Sequence, residues 1–193
     1  MVLLLHYLWS TRELGLTYGG PIKVPELQTC KPRLNPSTLK ALDGLLVWSD
    51  CAWKSDGTYA GWFIMLMNGS VDWSAKLLKV QMSSAEGEVG AGALAGKRLV
   101  YVRNLWGEFG EMAKVPVSFI IDNTAVPALS ENIGVSKKTE HFRRWQQFLR
   151  YLVTHGYAYV HIVRTFEELA NALTKIENRH AYITFRKIAM NIP

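Results

Sequence analysis

The stretch from Thr58 to Ala75, TYAGWFIMLMNGSVDWSA, constrains the fold more than any other part of the chain. Two runs rich in β-branched and aromatic residues flank Asn68-Gly69, the strongest short hairpin signal. An antiparallel pair turning at Asn68-Gly69 is expected. Such a pair must be covered on its faces and extended at its edges, and the rest of the chain carries the pieces. LLVWSD (45–50) reads as a buried strand ending at Asp50. Ser84 to Trp106 turns helical, with Leu94, Val102 and Leu105 among small residues. VPVSFII (115–121) reads as a strand that delivers Asp122, with a short helix after Asn123 and Pro127 in its first turn. Lys138 to Thr154 is a helix in which Phe142, Trp145, Phe148, Leu149 and Leu152 recur at helical spacing and Gly156 is the stop. YAYVHIVR (157–164) alternates as a strand. Thr165-Phe-Glu-Glu168 reads as a capping box that opens a last helix running through Asn171 to about Asn178.

The order β, β, β, α, β, α, α, β, α implies an α/β chain with a five-stranded mixed sheet flanked by helices. Gly87, Gly90, Gly92 and Gly96 lie inside the first long helix, where each costs about 1 kcal/mol against alanine. They call for close backbone packing, or for a sequence under relaxed selection. Ahead of the sheet, Val2 to Leu14 reads as a short helix, broken by YGGPIKVP, and Glu26 to Ser37 as a proline-containing linker. A boundary falls within 20–44. Trp48, Trp62 and Trp73 lie on strands and are expected in the core. Trp53 is expected at the surface.

At 193 residues and 49% apolar, the chain has enough hydrophobic side chains for a full core. The net charge of +6 permits a polyanionic partner without demonstrating one. Cys30 and Cys51 form no C-x-x-C pair, so a zinc site is not indicated and an intracellular, reducing compartment is the simple reading. No stretch reaches the length of a membrane span.

Three acids are placed where strand ends and helix starts converge in a mixed sheet: Asp50, Glu88 in the first turns of the long helix, and Asp122. Clustered carboxylates repel one another unless cations neutralise them, and hard oxygens suit magnesium or manganese. Spacing alone favours three unrelated surface acids, because strand-end aspartates are common.

Read together, several stretches resemble the RNase H domain of copia-type LTR retrotransposon polyproteins, preceded by the tail of their reverse transcriptase. LLLHYLWSTRELGLTYGG (3–20) resembles the thumb-to-connector segment. WSDCAW (48–53) resembles YSDADWA, and TYAGWFIMLMNGSVDWSAK (58–76) resembles STSGYVFMLGGAPISWKSK. MSSAEGEV (82–89) resembles LSSTEAEY, and FIIDNTAVPAL (119–129) resembles YCDNQSAI.L. KKTEHFRRWQQFLR (137–150) resembles RTKHID.RYHFIR, and RTFEELANALTK (164–175) resembles PTEENLADILTK. The order and spacing hold over residues 3–175.

The resemblance implies an RNase H-like fold with an N-terminal helical and linker extension. Residues 1–44 would be a remnant of the polymerase thumb and connector, 45–178 the RNase H-like domain and 179–193 a C-terminal extension. It implies two-metal hydrolysis of RNA in RNA–DNA hybrids, with Asp50, Glu88 and Asp122 holding Mg2+ or Mn2+. The fourth acid of the family falls on Asn171, which offers an oxygen but no charge and weakens the second metal position. Glu167 and Glu168, one turn earlier, are partial substitutes. Read from the residues, Lys138, His141, Arg144 and Arg150 offer a nucleic-acid-binding face, and a solvated helix face with His141 as a structural residue near the helix start fits equally well. KLLKVQ (76–81), Arg143 in place of a carboxylate, Val89 in place of an aromatic and the four glycines also depart from the pattern. A decayed or domesticated copy accounts for these together. The chain carries no protease, integrase or full polymerase, so it reads as an excised fragment or as a stand-alone product. The alternative function is therefore a catalytically inactive RNase H-like fold serving as a structural or binding subunit of a larger protein assembly.

Overall fold

A computed structural model describes residues 9–11, 13–18, 45–55, 57–78, 81, 83–109, 116–123, 142–165 and 168–192. Most of the N-terminal helix expected over 2–14, the linker, the helix expected after Asn123, and residues 138–141 lie outside them. Of the first helix only Trp9 and Ser10 are described as helical; Thr11 and Glu13 are turn and Leu14 to Tyr18 irregular.

The sheet has five strands: β1 (Leu46–Lys54), β2 (Gly57–Leu66), β3 (Gly69–Leu78), β4 (Val117–Ile121) and β5 (Ala158–Ile162). Their order is β3-β2-β1-β4-β5. β1 and β3 run antiparallel to β2, while β1–β4 and β4–β5 are parallel. The helices are α1 (Ser84–Glu108), α2 (Arg143–Thr154), α3 (Asn171–Thr174) and α4 (Arg179–Met190).

Strand alternation divides the core into two layers. Leu45, Val47, Trp62, Ile64, Phe119 and Ile121 face one cluster, closed by Val89 and Leu99 of α1 and Leu149 and Leu152 of α2. Leu46, Trp48, Phe63, Met65 and Ile120 face the other, closed by Leu169 and Ala170 before α3 and by Ile188 and Ala189 of α4. Residues 179–190, expected as an extension, thus form a helix whose apolar side packs on the sheet.

Five local expectations change. Asp50 does not end its strand: β1 continues to Lys54 because β2 stays paired with it to Gly57. The hairpin turns at Met67-Asn68, not Asn68-Gly69; both loop residues take positive φ (50° and 64°), as a type I′ turn requires. Gly69 already belongs to β3, and a Cβ there would fall on the Tyr18 ring and 3.0 Å from the Thr17 carbonyl oxygen. The last helix is split, with only Asn171–Thr174 helical before α4 begins at Arg179. Glu168 makes no reciprocal capping box, because its Oε1 accepts the Ala170 backbone N–H at 3.0 Å. Trp48 and Trp62 are buried as expected, but Trp73 is 53% exposed, since β3 is an edge strand with only one flanking neighbour. Trp53 is exposed.

The glycines of α1 have a packing reason. A Cβ on Gly87 would meet Cys51 Sγ at 2.5 Å, one on Gly90 the Trp145 ring at 2.6 Å, and one on Gly96 Leu152 Cδ1 at 2.5 Å. Only Gly92 would make ordinary contacts, the nearest at 3.4 Å to Leu149. The missing side chains let α1 settle onto β1 and α2. In an exposed helix, Gly90→Ala would stabilise by about 1 kcal/mol. Here the added methyl meets the Trp145 ring, and we expect a net loss of about 1–3 kcal/mol in urea unfolding. A measured gain would show that packing is not what holds Gly90.

Candidate metal centre

The parallel register of β1 and β4 brings two carboxylates together. Trp48 pairs with Ile120; continued two residues further, the same register sets Asp50 beside Asp122. Asp50 is 1% exposed in mid-strand, while Asp122 follows the last residue of β4 and is half-buried. Glu88 comes from α1, which covers one face of the sheet. Ser83 caps α1 by accepting the Glu86 N–H (3.2 Å), and Gly87 seats the first turn against Cys51 and Thr58, which places Glu88 at the same spot. One carboxylate oxygen from each of Asp50, Glu88 and Asp122 lies within 4.8 Å of the others.

The cluster is short of positive charge. Burial, then the charges of Asp50 and Asp122, push the Glu88 carboxyl up to about 8. Burial, then Glu88 and Asp50, push the adjacent Cys51 thiol up to about 12, so that buried side chain is a neutral filler. Hard oxygens under mutual repulsion are what a divalent cation relieves, so the donor set fits magnesium or manganese.

Asp50 is already engaged by the protein. Thr174 Oγ1 donates to its Oδ2, and Lys175 Nζ donates to its Oδ1 at 3.2 Å. The same ammonium donates to Asn171 Oδ1 at 2.5 Å, while Asn171 Nδ2 donates to the Thr165 carbonyl at 2.5 Å. Burial alone would lower the Lys175 pKa, but the Asp50 charge and hydrogen bond, with Asp122 and Glu88, hold it above the ordinary range. These contacts depend on Gly61, opposite Asp50 on β2, where a Cβ would strike Thr174 Cγ2 at 2.6 Å. Glu168 is 3% exposed, and burial first, then the neighbouring carboxylates, raise its pKa well above normal. Its Oε2 has no hydrogen-bond partner among the described residues.

Asp50, Glu88 and Asp122 are therefore brought together, and Asn171 joins them through Lys175. Lys138, His141 and Glu167 lie outside the described residues. Arg144 is exposed on α2 and Arg150 half-buried. Thr174 and Lys175 were missed by the sequence reading; the i, i+4 spacing of Asn171 and Lys175 was the available signal.

The fold is that of an RNase H domain. It resembles RNase H1 from Halobacterium salinarum NRC-1 (TM-score 0.50, 17% identity, 67% of this chain and 92% of that one). It also resembles the N-terminal RNase H domain of rv2228c from Mycobacterium tuberculosis (TM-score 0.52, 9% identity, 74% of this chain and 96% of that one). The sequence gives the particular kind: this is an RNase H-like domain related to the Pol polyproteins of copia-type retrotransposons. It is 30% identical over 152 residues, 76% of the chain, to the retrovirus-related Pol polyprotein from transposon RE2 of Arabidopsis thaliana. The corresponding polyprotein from transposon TNT 1-94 of Nicotiana tabacum is 27% identical over 123 residues, 63% of the chain. The chain spans about a tenth of the length of the curated relatives it matches. No protein-family model matches it. Among the described residues no helix is long and apolar enough to cross a membrane.

The folded chain keeps a proton on Glu88 up to about pH 8, whereas the unfolded chain releases it near 4.5. For this group, stability is fully present below about 4.5 and falls as pH rises through 8. Buried His161, held down to about 4 by desolvation, has the opposite sign but is neutral in both states above about 6.5. Between pH 6.5 and 8.5 thermal unfolding should therefore shift to lower temperature as pH rises. Glu88→Gln should flatten that slope, leaving the part owed to Glu168. Saturating Mg2+ should flatten it as well, by replacing the proton. An unchanged slope in Glu88→Gln would refute the assignment.

Proposed function

We propose that the chain is a divalent-metal-dependent ribonuclease H that cleaves the RNA strand of RNA–DNA hybrids, with activity held down by Asn171. The observation that carries this is the convergence of the Asp50, Glu88 and Asp122 oxygens within 4.8 Å inside an RNase H fold. Bound there, Mg2+ or Mn2+ would supply an activated water and charge stabilisation at the leaving oxygen. Asp50, fixed in mid-strand by pairing on β2 and by Thr174, is the rigid ligand. Asp122, half-buried after β4, is the ligand nearest to solvent and substrate. Glu88 would give up its proton to hold a cation there. Asn171 leaves the second metal position one charge short. Hybrid backbone would lie along α2, with exposed Arg144 as the main contact and half-buried Arg150 beside it; Lys138 and His141 are the further contacts the sequence suggests.

A second reading is favoured by one observation. The Asn171 amide is committed at both ends, to Lys175 and to Thr165, which suits a chain that no longer cleaves and serves as a structural or binding subunit.

A labelled RNA–DNA hybrid with Mg2+ or Mn2+ separates the two. We expect slow cleavage by the natural chain, background from Asp122→Asn, and roughly tenfold faster cleavage by Asn171→Asp. Equal, background-level signals from the natural chain and Asp122→Asn would leave only the second reading. For the binding face, Arg144→Ala should weaken hybrid affinity and reduce the slope of log affinity against log salt by about one. An unchanged slope would remove Arg144 from the interface.

A further inference from the structure

Lys175 sits where the carboxylate cluster meets the asparagine. Its Nζ bridges Asp50 Oδ1 (3.2 Å) and Asn171 Oδ1 (2.5 Å). The orientation of the amide is determined: an ammonium only donates, a backbone carbonyl only accepts, so Oδ1 must face Lys175 and Nδ2 must face Thr165. Asn171 is 5% exposed and cannot readily reorganise, whereas the Lys175 side chain keeps 38% of its surface in water.

Charge matching tells what this bridge does. Ionised, Asp50, Glu88 and Asp122 carry three negative charges, which one divalent ion and one ammonium balance. An aspartate at 171 would add a fourth negative charge, the complement of two divalent ions. Lysine also stands at this place in the resembled motif LADILTK, so the asparagine is what alters the balance. With a neutral amide there, a second divalent ion has only Asp50 in common with the first and gains too little to expel the ammonium.

Building on the metal-centre reading, we propose that Lys175 is a resident second cation: the centre takes one divalent ion, on Asp50, Glu88 and Asp122, while the Lys175 ammonium occupies the position between Asp50 and Asn171.

Mn2+ titration of the full chain, with free Mn2+ followed by electron paramagnetic resonance, tests this without any activity measurement. The natural chain should bind one ion. Lys175→Met should still bind one, roughly tenfold more tightly, because the ammonium no longer repels it. Asn171→Asp/Lys175→Met should bind two. Circular dichroism of each variant verifies folding. Two ions on the natural chain, both lost in Asp50→Asn, would overturn the inference and keep the metal centre. Unchanged count and affinity in Lys175→Met would do the same. No bound Mn2+ on any variant would overturn both.

Discussion

β1 is paired along both edges, and the rest of the molecule depends on that. On one side it is antiparallel to β2 over nine residues, and on the other parallel to β4. Two-sided pairing fixes which side chains face which layer and leaves Asp50 no freedom to move along the strand. A one-residue slip against β4 would turn alternate side chains to the wrong layer and separate Asp50 from Asp122. The hydrophobic layers and the carboxylate pair are thus specified by one register.

How closely the helices approach the sheet is set by what is missing from glycines. Gly87 brings the start of α1 down on β1, and Gly61 brings α3 down on β2 opposite Asp50. The two helices reach Asp50 from opposite layers. One contributes a carboxylate and the other a hydroxyl and, just beyond it, an ammonium. The burial and, after it, the mutual repulsion that raise Glu88 follow from this closeness, and so does the attraction that holds Lys175.

The sequence was most legible where one local rule acted alone. Helix α1, the five strands and the placement of Asp122 after β4 follow from periodicity and turn signals. Asp50 was read as a strand end because its apolar run stops there; the strand continues since pairing with β2, a long-range effect, outweighs local polarity. The glycines of α1 looked like weak helix formers until their neighbours, Trp145 and Leu152, were known from tertiary packing. Trp73 has the composition of a core residue, and only sheet order reveals that it lies on an edge. Family resemblance marked Asn171 as a lost charge, but the cation that meets it depends on a turn after α3 that no propensity specifies.

The segment that resembles a polymerase tail is also part of the domain's edge. Thr17 N–H donates to Met190 O (3.0 Å) and Asn191 Nδ2 to Thr17 O (3.2 Å), while Tyr18 lies over Gly69 and donates to Ser70 O (3.0 Å). Ser70 Oγ in turn donates to the Ala189 carbonyl. These contacts form a clasp between the incoming chain, the hairpin and the end of α4. A domain trimmed to begin at Leu45 would open the clasp, exposing the hairpin turn and freeing the last turn of α4. Where the boundary of this domain is drawn therefore bears on its integrity, not just on its length.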